Sequence, residues 1–280
     1  MCVFCVIKYL ITLYHAPQTL YTIGMSWASR RRFLYLTGSI AFFAIPAAVV
    51  ISVWLYEVPT CFDNKMNQGE TRVDRGGPCQ LLDENRLVPH SILWARTFQV
   101  RTGVHSAISY VENPNPKAGV MEAPYRFRIY DARNILVAER EGTTPIMPGV
   151  TTPIFEGTIV SGDRTAVRAF FEFTAPLVWE RLTDRSSSIV VSDKKIDGED
   201  TTPRVTAKIK NNDVVDMRNI TIVATVFDTA GNAFAVSSTI IPLLNAGEII
   251  PISFTWPAPF ERRLARVDVL PTIAPTRPAR

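Results

Sequence analysis

The chain has 280 residues, of which 47% are hydrophobic, 20% charged and 10% aromatic. This composition supports a sizeable buried core and excludes both a disordered polar chain and a small disulfide-rich knot. Of the net charge of +4, residues 1–57 contribute +3, because they hold Lys8 and three arginines against Glu57. The remainder carries 26 basic and 25 acidic residues, which excludes a polyanion-binding surface and with it a nucleic-acid partner.

The longest uncharged stretch runs from Phe33 to Tyr56. As a helix rising 1.5 Å per residue it would span roughly 36 Å, enough for a hydrocarbon core of about 30 Å. Arg30, Arg31 and Arg32 directly precede it, and positive charge is retained on the cytoplasmic side of a membrane. The sequence therefore predicts a cytoplasmic basic head over 1–32, a single-pass signal anchor in the cell membrane over 33–56, and an extracytoplasmic remainder.

Three other interpretations of this stretch fit less well. A cleaved signal peptide has an apolar region of about 7 to 15 residues and a small-residue exit, whereas this longer stretch leaves through Leu55, Tyr56 and Glu57. A lipid-modified Cys61 is disfavoured because Val58-Pro59-Thr60 matches the small-residue lipidation signal poorly. A buried helix of a soluble protein is disfavoured by the flanking arginines and by the lack of a polar face.

The first 24 residues are apolar but are interrupted by Lys8, His15 and Pro17 before they reach spanning length. Met25 is followed by SWASRRR, which is typical of the start of a signal anchor. We expect translation to begin at Met25, and a peptide from residues 1–24 in the intact protein would contradict this. The CxxC of Cys2 and Cys5 has no second ligand pair nearby and is interpreted as incidental.

A polar juxtamembrane segment is predicted over 57–90, and it contains Cys61 and Cys79, the only cysteines beyond the anchor. An even pair in an oxidising compartment is best interpreted as one disulfide. It would close a loop of about 19 residues, worth about 3 kcal/mol in the chain-entropy description.

This segment resembles a short cysteine-rich motif of bacterial surface proteins, C-x-D-G-x-x-N-x-x-E-x-x-V-D-C-G-G-x-C. The matching residues are Cys61, Asp63, Asn67, Glu70, Val73, Asp74, Gly76, Gly77 and Cys79. Asn64 stands where the motif has its first Gly, and Arg75 where it has its middle Cys. Without that middle cysteine the remaining two are balanced, which favours a bond within the chain over a bridge between chains.

Asp63, Asn67, Glu70 and Asp74 cluster in this segment. Their oxygen atoms are ligands that calcium prefers, but their spacing is not that of an EF-hand. Aspartate, asparagine and glycine are equally the residues of tight turns. We favour turn formation over a calcium site, and a calcium titration distinguishes the two.

The last two thirds of the chain favour strands. Segments such as Arg126–Tyr130 and Ile220–Phe227 are β-branched or alternate in polarity, and the turn sequences NPNP, MPG, DTAGN and NAGE separate them. This predicts an all-β ectodomain of two tandem antiparallel β-sandwiches, over 91–182 and 187–272. The Pro-rich end, 273–280, is predicted to be disordered.

The two predicted sandwiches repeat the same landmarks. Tyr130-Asp131 and Phe227-Asp228 each end a strand before a turn, and a Pro-Gly or Ala-Gly turn follows at a similar distance. Upstream, the strand leading to Asn113 matches the strand leading to Asn211.

These landmarks resemble the FxLYD and LEA14-like (WHy) group of Ig-like β-sandwich domains. The first copy matches the FxLYD signature at Phe127, Ile129, Tyr130 and Asp131, and the second keeps only Phe227 and Asp228. The resemblance implies two Ig-like modules that adhere or support and that share no catalytic site. Asp131 and Asp228 are expected to fix their turns by accepting backbone N–H groups.

Motifs of enzymes are absent from the sequence, which contains no HExxH, GxSxG, P-loop or GxGxxG. His90 and His105 stand alone and are interpreted as packed or solvated rather than as ligands. Trp94, Trp179 and Trp256 are predicted to pack in cores or at module junctions, with a carbohydrate-stacking surface as the alternative.

The sequence thus predicts a non-catalytic interaction or scaffold protein of the cell envelope, with no cofactor unless the loop binds calcium. Its expected partners are the membrane and an envelope protein, and homo-oligomerisation stays open. Two alternatives are an accessory subunit of a membrane transport or secretion complex and an envelope hydrolase whose site has no known motif.

Overall fold

The computed structural model describes residues 26–56 and 58–278. It divides into a helical unit, up to Val58, and a second compact unit from Pro59 onward. We call the second unit the body.

The helical unit contains α1 (Trp27–Leu55). Ser26 caps its amino-terminal end, because the side chain of Ser26 accepts a hydrogen bond from the backbone N–H of Ser29. It has 29 residues, and an 18-residue stretch of it has a mean hydropathy of 2.1, so it is long and apolar enough to cross a membrane; none of it is buried. The hydroxyl of Thr37 donates to the carbonyl of Phe33 at 2.6 Å, so the helix itself satisfies this polar group. The predicted apolar helix is confirmed, and it begins six residues before the apolar stretch, because the arginines join its first turns.

Strands dominate the body. In chain order they are β1 (Ser91–Arg101), β2 (Val104–Glu112), β3 (Ala118–Tyr130), β4 (Leu136–Ile146), β5 (Thr151–Val160), β6 (Arg168–Phe173), β7 (Glu180–Arg181), β8 (Ile189–Asp197), β9 (Arg204–Asn211), β10 (Met217–Asp228), β11 (Ala233–Leu244), β12 (Ile249–Thr255) and β13 (Leu264–Thr272). Single 3₁₀ turns at Glu84–Arg86 and Ser186–Ser188 precede β1 and β8.

The strands form four antiparallel sheets. The first sandwich consists of the sheets β1-β2-β5 and β4-β3-β6, with the short β7 paired to β3. The second consists of β8-β9-β12 and β11-β10-β13. The order is the same in both, with β1 to β6 corresponding to β8 to β13. Across the described residues, the predicted all-β fold behind one apolar helix is confirmed.

Each sandwich has its own core. Phe127 of β3 and Phe171 of β6 meet in the first core with ring centroids 4.9 Å apart. In the second, Phe254 of β12 packs with Ile222 and Val226 of β10. These residues lie at alternate positions on their strands, as half-buried strands require.

The two sandwiches also pack face to face. Trp94 of β1 and Tyr110 of β2 stack with centroids 4.4 Å apart, and Trp94 meets Phe227 of β10 edge-on at 6.3 Å. Val223 and Val236 of the second sandwich belong to the same cluster. The sheets are therefore layered in the order β4-β3-β6, β1-β2-β5, β11-β10-β13, β8-β9-β12, and the body is a single four-layered unit.

The predicted disorder of the end of the chain is wrong for the residues described, 273–278. Ile273 is buried, and Thr276 exchanges two backbone hydrogen bonds with Thr183, of 2.8 and 3.2 Å. Both oxygens of the buried Glu180 accept from the guanidinium of Arg277, at 2.7 and 3.0 Å. A Pro-rich composition indicated disorder, but one ion pair and one buried isoleucine hold this segment on the body.

Candidate functional site

The juxtamembrane segment is closed on itself by a disulfide and is held to the first sandwich by backbone hydrogen bonds. Cys61 and Cys79 are bonded, with Cα atoms 5.5 Å apart, so the predicted pairing is confirmed. The backbone of Leu82 donates to Trp179 at 2.9 Å, and Arg181 of β7 donates to Gln80 at 2.8 Å. The segment is therefore attached to the first sandwich rather than being a free loop.

The carboxylates of this segment accept backbone N–H groups. Asp63 accepts from Lys65 at 2.8 Å and from the Asn67 amide at 2.7 Å, and this amide is the main reason that the pKa of Asp63 is lowered. Asp74 accepts from the backbone of Asp63 at 3.1 Å, and Glu70 from the backbone of Asp74 at 3.1 Å. These bonds link the predicted residues into one network of turns.

The second residue of the Gly76-Gly77 pair must be glycine. Its φ is +53°, and a Cβ there would lie 2.6 Å from the carbonyl oxygen of Gly69. Any other residue would collide with a backbone atom that cannot move independently.

The juxtamembrane segment offers few free ligand atoms for a metal ion. Across 26–56 and 58–278, the one cluster of His, Cys, Asp or Glu with converging ligand atoms is Cys61, Glu70 and Cys79. Both sulfurs are engaged in the disulfide and offer no thiolate. The oxygens of Asp63 and Asp74 already accept hydrogen bonds, so a calcium ion would compete with the turns. Turn formation stays the favoured interpretation and a calcium site its alternative, which a calcium titration tests.

The aspartates of the repeat have one structural role. Asp131 Oδ1 accepts from the backbone of Arg133 and of Ile135, both at 2.9 Å. Asp228 Oδ1 accepts from the second and fourth residues after it in the same way, at 3.0 and 2.8 Å. These hydrogen bonds lower the pKa of both carboxyls, chiefly through the bond to the fourth residue.

The other motif residues lie apart. Phe127 and Ile129 are in the first core and Phe227 is at the junction between sandwiches. Tyr130 lines a cleft described below, and Arg30–Arg32 lie in the first turns of α1. The motif therefore encodes packing and a turn, not one reactive site.

Two asparagines hold strand ends in the same way in the two sandwiches, and the sequence had assigned them no function. Asn113 and Asn211 are both 0% exposed. The amide of Asn113 donates to Ala118 at 2.7 Å and to Met147 at 2.9 Å, while the amide of Asn211 donates to the corresponding carbonyls of Val215 and Leu244. The comparison of the two copies contained part of this signal, since it matched the segment that holds Asn113 to the segment that holds Asn211 and Asn212.

The histidines are packed. His105 is 1% exposed, and its Nε2 accepts from the backbone of Ala166 at 3.4 Å, whereas its Nδ1 has no hydrogen-bond partner among the described residues. His90 lies against the rings of Phe173 and Trp179, with centroids 5.5 and 5.8 Å away. Burial lowers the pKa of both imidazoles.

The body has a large open cleft of about 1120 Å³ where the two sandwiches meet. The first sandwich contributes six consecutive residues of β1, 95–100, and the segment 166–170 around the start of β6. The second contributes residues 233–236 of β11 and the loop 256–262 between β12 and β13. All three strands are at the edges of their sheets.

Aromatic and basic side chains line this cleft. The rings are Phe98, Tyr130, Phe170, Phe234, Trp256 and Phe260, and the charged residues are Arg96, Arg128, Arg168, Arg262 and Glu261. Aromatic residues and arginine are the types enriched where proteins bind partners. The sequence did not indicate this cleft, because its residues come from five separate segments.

The cleft is bridged at its base by Arg96. Its guanidinium donates to the carbonyl of Ala233 at 2.9 Å and to the side chain of Asn232 at 3.0 Å. Since Arg96 belongs to β1 and both partners to the second sandwich, this residue fixes the distance between the two walls.

Comparisons with known proteins do not place this chain in a family. No protein-family model matches it, and no curated protein matches it. Among solved structures it is similar to a Bacteroides uniformis β-glucuronidase, with 17% identity and a TM-score of 0.18 over 63% of this chain and 22% of that one. It is also similar to red sea bream transglutaminase, with 11% identity, a TM-score of 0.21, and 67% and 31% of the two chains covered.

A third structure, the CBM22-1–CBM22-2 tandem domain of Paenibacillus barcinonensis Xyn10C, has 7% identity and a TM-score of 0.16, with 66% of this chain and 86% of that one covered. This chain spans less than a third of the length of the glucuronidase and transglutaminase chains. At these TM-scores the likenesses carry no functional argument.

Proposed function

We propose that the protein is a membrane-anchored, non-catalytic interaction protein of the cell envelope, and that the body binds a partner protein outside the membrane. The observation that supports this most is the aromatic and basic cleft on a compact body whose chain also contains a fully exposed apolar helix. An exposed concave surface with arginine and aromatic side chains suits recognition of another molecule.

The positions of charge support the proposed topology. Arg30, Arg31 and Arg32 precede the apolar part of α1 and no acidic residue lies in its first turn. This asymmetry favours a cytoplasmic amino terminus and an extracytoplasmic body. A disulfide between Cys61 and Cys79 agrees with an oxidising compartment on that side.

The non-catalytic part of the proposal rests on what the polar residues do. The aspartates of the repeat hold turns, the two asparagines hold strand ends, and His90 and His105 are packed against rings or backbone. The resemblance of the Phe127–Asp131 segment to FxLYD modules supports the same interpretation.

The experiment is crosslinking of the full chain in intact cells with a membrane-impermeant amine reagent, followed by mass spectrometry. Lys208 and Lys210 on β9 report on the side of the membrane, because the side chain of Lys208 is 55% exposed. We expect both to be modified and links to join the body to one envelope protein. Modification only after the cells are opened would contradict the topology, and a body without links would contradict the interaction role.

A further inference from the structure

We propose that the cleft binds an extended, acidic segment of a partner protein, which adds as a strand to the free edge of β1. This inference rests on the proposed interaction role and names the chemistry of the partner.

The first support is the free edge of β1. β1 pairs on one side with β2, and on its other side no strand of the described body is hydrogen-bonded to it. Residues 95–100 of β1 all line the cleft and none is fully buried, whereas residues 105–111 of β2 are buried throughout. Six residues of strand extend about 20 Å, the length of a peptide strand that can pair with them.

The second support is the set of rings that face this edge. Phe170 of β6 is 62% exposed although it lies beside the core strand β3. Across the cleft, Phe234 of β11 and Phe260 of the 256–262 loop pack edge-on with centroids 5.2 Å apart. Alternate side chains of an added strand point to opposite sides, so the strand would place apolar residues against Phe170 on one side and against this pair on the other.

The third support is charge. Four arginines and one glutamate line the cleft. Arg128 is paired with Glu172 and Arg262 with Asp228, but Arg168 is exposed and has no ion pair among the residues that the structure describes. Arg133, next to the lining residue Asn134, is also exposed. A partner that carries carboxylates beside its apolar residues would complement them.

The same arginines argue against a second copy of this chain as the occupant. Two copies that paired through β1 would bring Arg96 and Arg168 of one chain near those of the other, and like charges at an edge oppose pairing. An acidic partner removes this repulsion.

The test is selection from a phage-displayed library of random dodecapeptides on the full chain in nanodiscs, with empty nanodiscs as the reference. Enriched peptides are then measured against the parent protein, against Arg168→Glu, and against Arg218→Glu as the matched control. Arg218 is exposed, lies at the start of β10 and does not line the cleft. Hydrogen exchange with and without peptide locates the binding site.

We expect enriched peptides with net negative charge and alternating apolar residues. Arg168→Glu should weaken their binding about tenfold, because a charge reversal replaces an attraction by a repulsion, and Arg218→Glu should not. The amides of residues 95–100 should become protected. An absence of enrichment, equal binding to both variants, or protection of other residues would overturn the proposal. So would a dimer that the peptides do not dissociate but that the Arg168→Glu substitution abolishes.

This test is separable from that of the proposed function. Selection on purified protein does not depend on orientation in the cell, so acidic peptides in the cleft would stand even if the body proved cytoplasmic. Conversely, envelope crosslinks that persist in Arg168→Glu would retain the interaction role and reject the cleft as its site.

Discussion

Asn113 and Asn211 make the structure's strongest prediction about stability. Replacing Asn113 by alanine leaves the buried carbonyls of Ala118 and Met147 without their donor and the backbone N–H of Asn115 without its acceptor. A buried polar group that loses its partner costs about 1 to 3 kcal/mol, and water that enters the vacated space recovers part of this. We expect Asn113→Ala to lower the free energy of unfolding by about 3 kcal/mol, and Asn211→Ala by a similar amount.

The assay is unfolding of the full chain in detergent, by urea and by heat, with tryptophan fluorescence as the signal. A loss of about 3 kcal/mol corresponds to a decrease of roughly 6 to 12 °C in the Tm of a body of this size. Asn85→Ala is the control, because Asn85 is exposed and its side chain has no hydrogen bond to another residue within 26–56 and 58–278. Since the sandwiches share the cluster around Trp94, each variant should shift one common transition.

A loss below about 1 kcal/mol would refute the reasoning that these amides satisfy otherwise unpaired groups. Two transitions, of which each variant shifts only one, would refute the four-layered unit and restore two independent modules.

Three further predictions concern other parts of the body. Gly77→Ala should destabilise the juxtamembrane turns by about 2 kcal/mol, since its Cβ would meet a backbone oxygen 2.6 Å away, and hydrogen exchange of residues 70–79 should accelerate; unchanged exchange would contradict the turn geometry. Burial lowers the pKa of His105 in the folded body, so as the pH falls the imidazole takes up a proton in the unfolded chain before it does so in the folded one. The contribution of the neutral imidazole to the free energy of unfolding should therefore be fully present above about pH 7 and decrease as the pH falls through about 6.5. His105→Gln should reduce this dependence more than His90→Gln, and identical pH profiles would be inconsistent with the burial of His105. Arg277→Ala should release the chain end from Glu180 and raise amide exchange at Thr276 about fivefold; full retention of protection would show that the ion pair is not the anchor.

Local pattern was sufficient to predict the apolar helix, the disulfide and the sandwiches. An uncharged stretch of spanning length, two cysteines and alternating strands each follow from residues close in sequence. The repeat was also visible, and the structure gives its two copies the same strand order.

The packing between the sandwiches was less accessible, although β10 contained a trace of it. Ile222, Ala224 and Val226 face the second core, while Val223 and Phe227, at odd-numbered positions of the same strand, face the first sandwich. A strand with both faces buried is apolar without alternation, and the segment ITIVATVF fits that pattern better than a half-exposed one. Which face meets which sheet depends on contacts distant in sequence, so the pattern alone could not reveal the layering.

The cleft and the ordered chain end escaped prediction for the same reason. Arg96, Phe170 and Phe260 lie far apart in sequence and meet only because the sheets stack. The ion pair between Glu180 and Arg277 likewise joins two segments that composition describes as a loop and a tail.

The most direct test of the account is photo-crosslinking in living cells from the cleft itself. The full chain carries p-benzoylphenylalanine in place of Phe170 or, as the control, in place of Val214, which is 90% exposed in the turn between β9 and β10 and does not line the cleft. We predict one abundant crosslinked envelope protein from position 170, attached through an acidic segment, and none of it from position 214. Equal crosslinking from both positions, or a partner that is absent from position 170, would contradict the claim that this cleft is where the protein binds its partner.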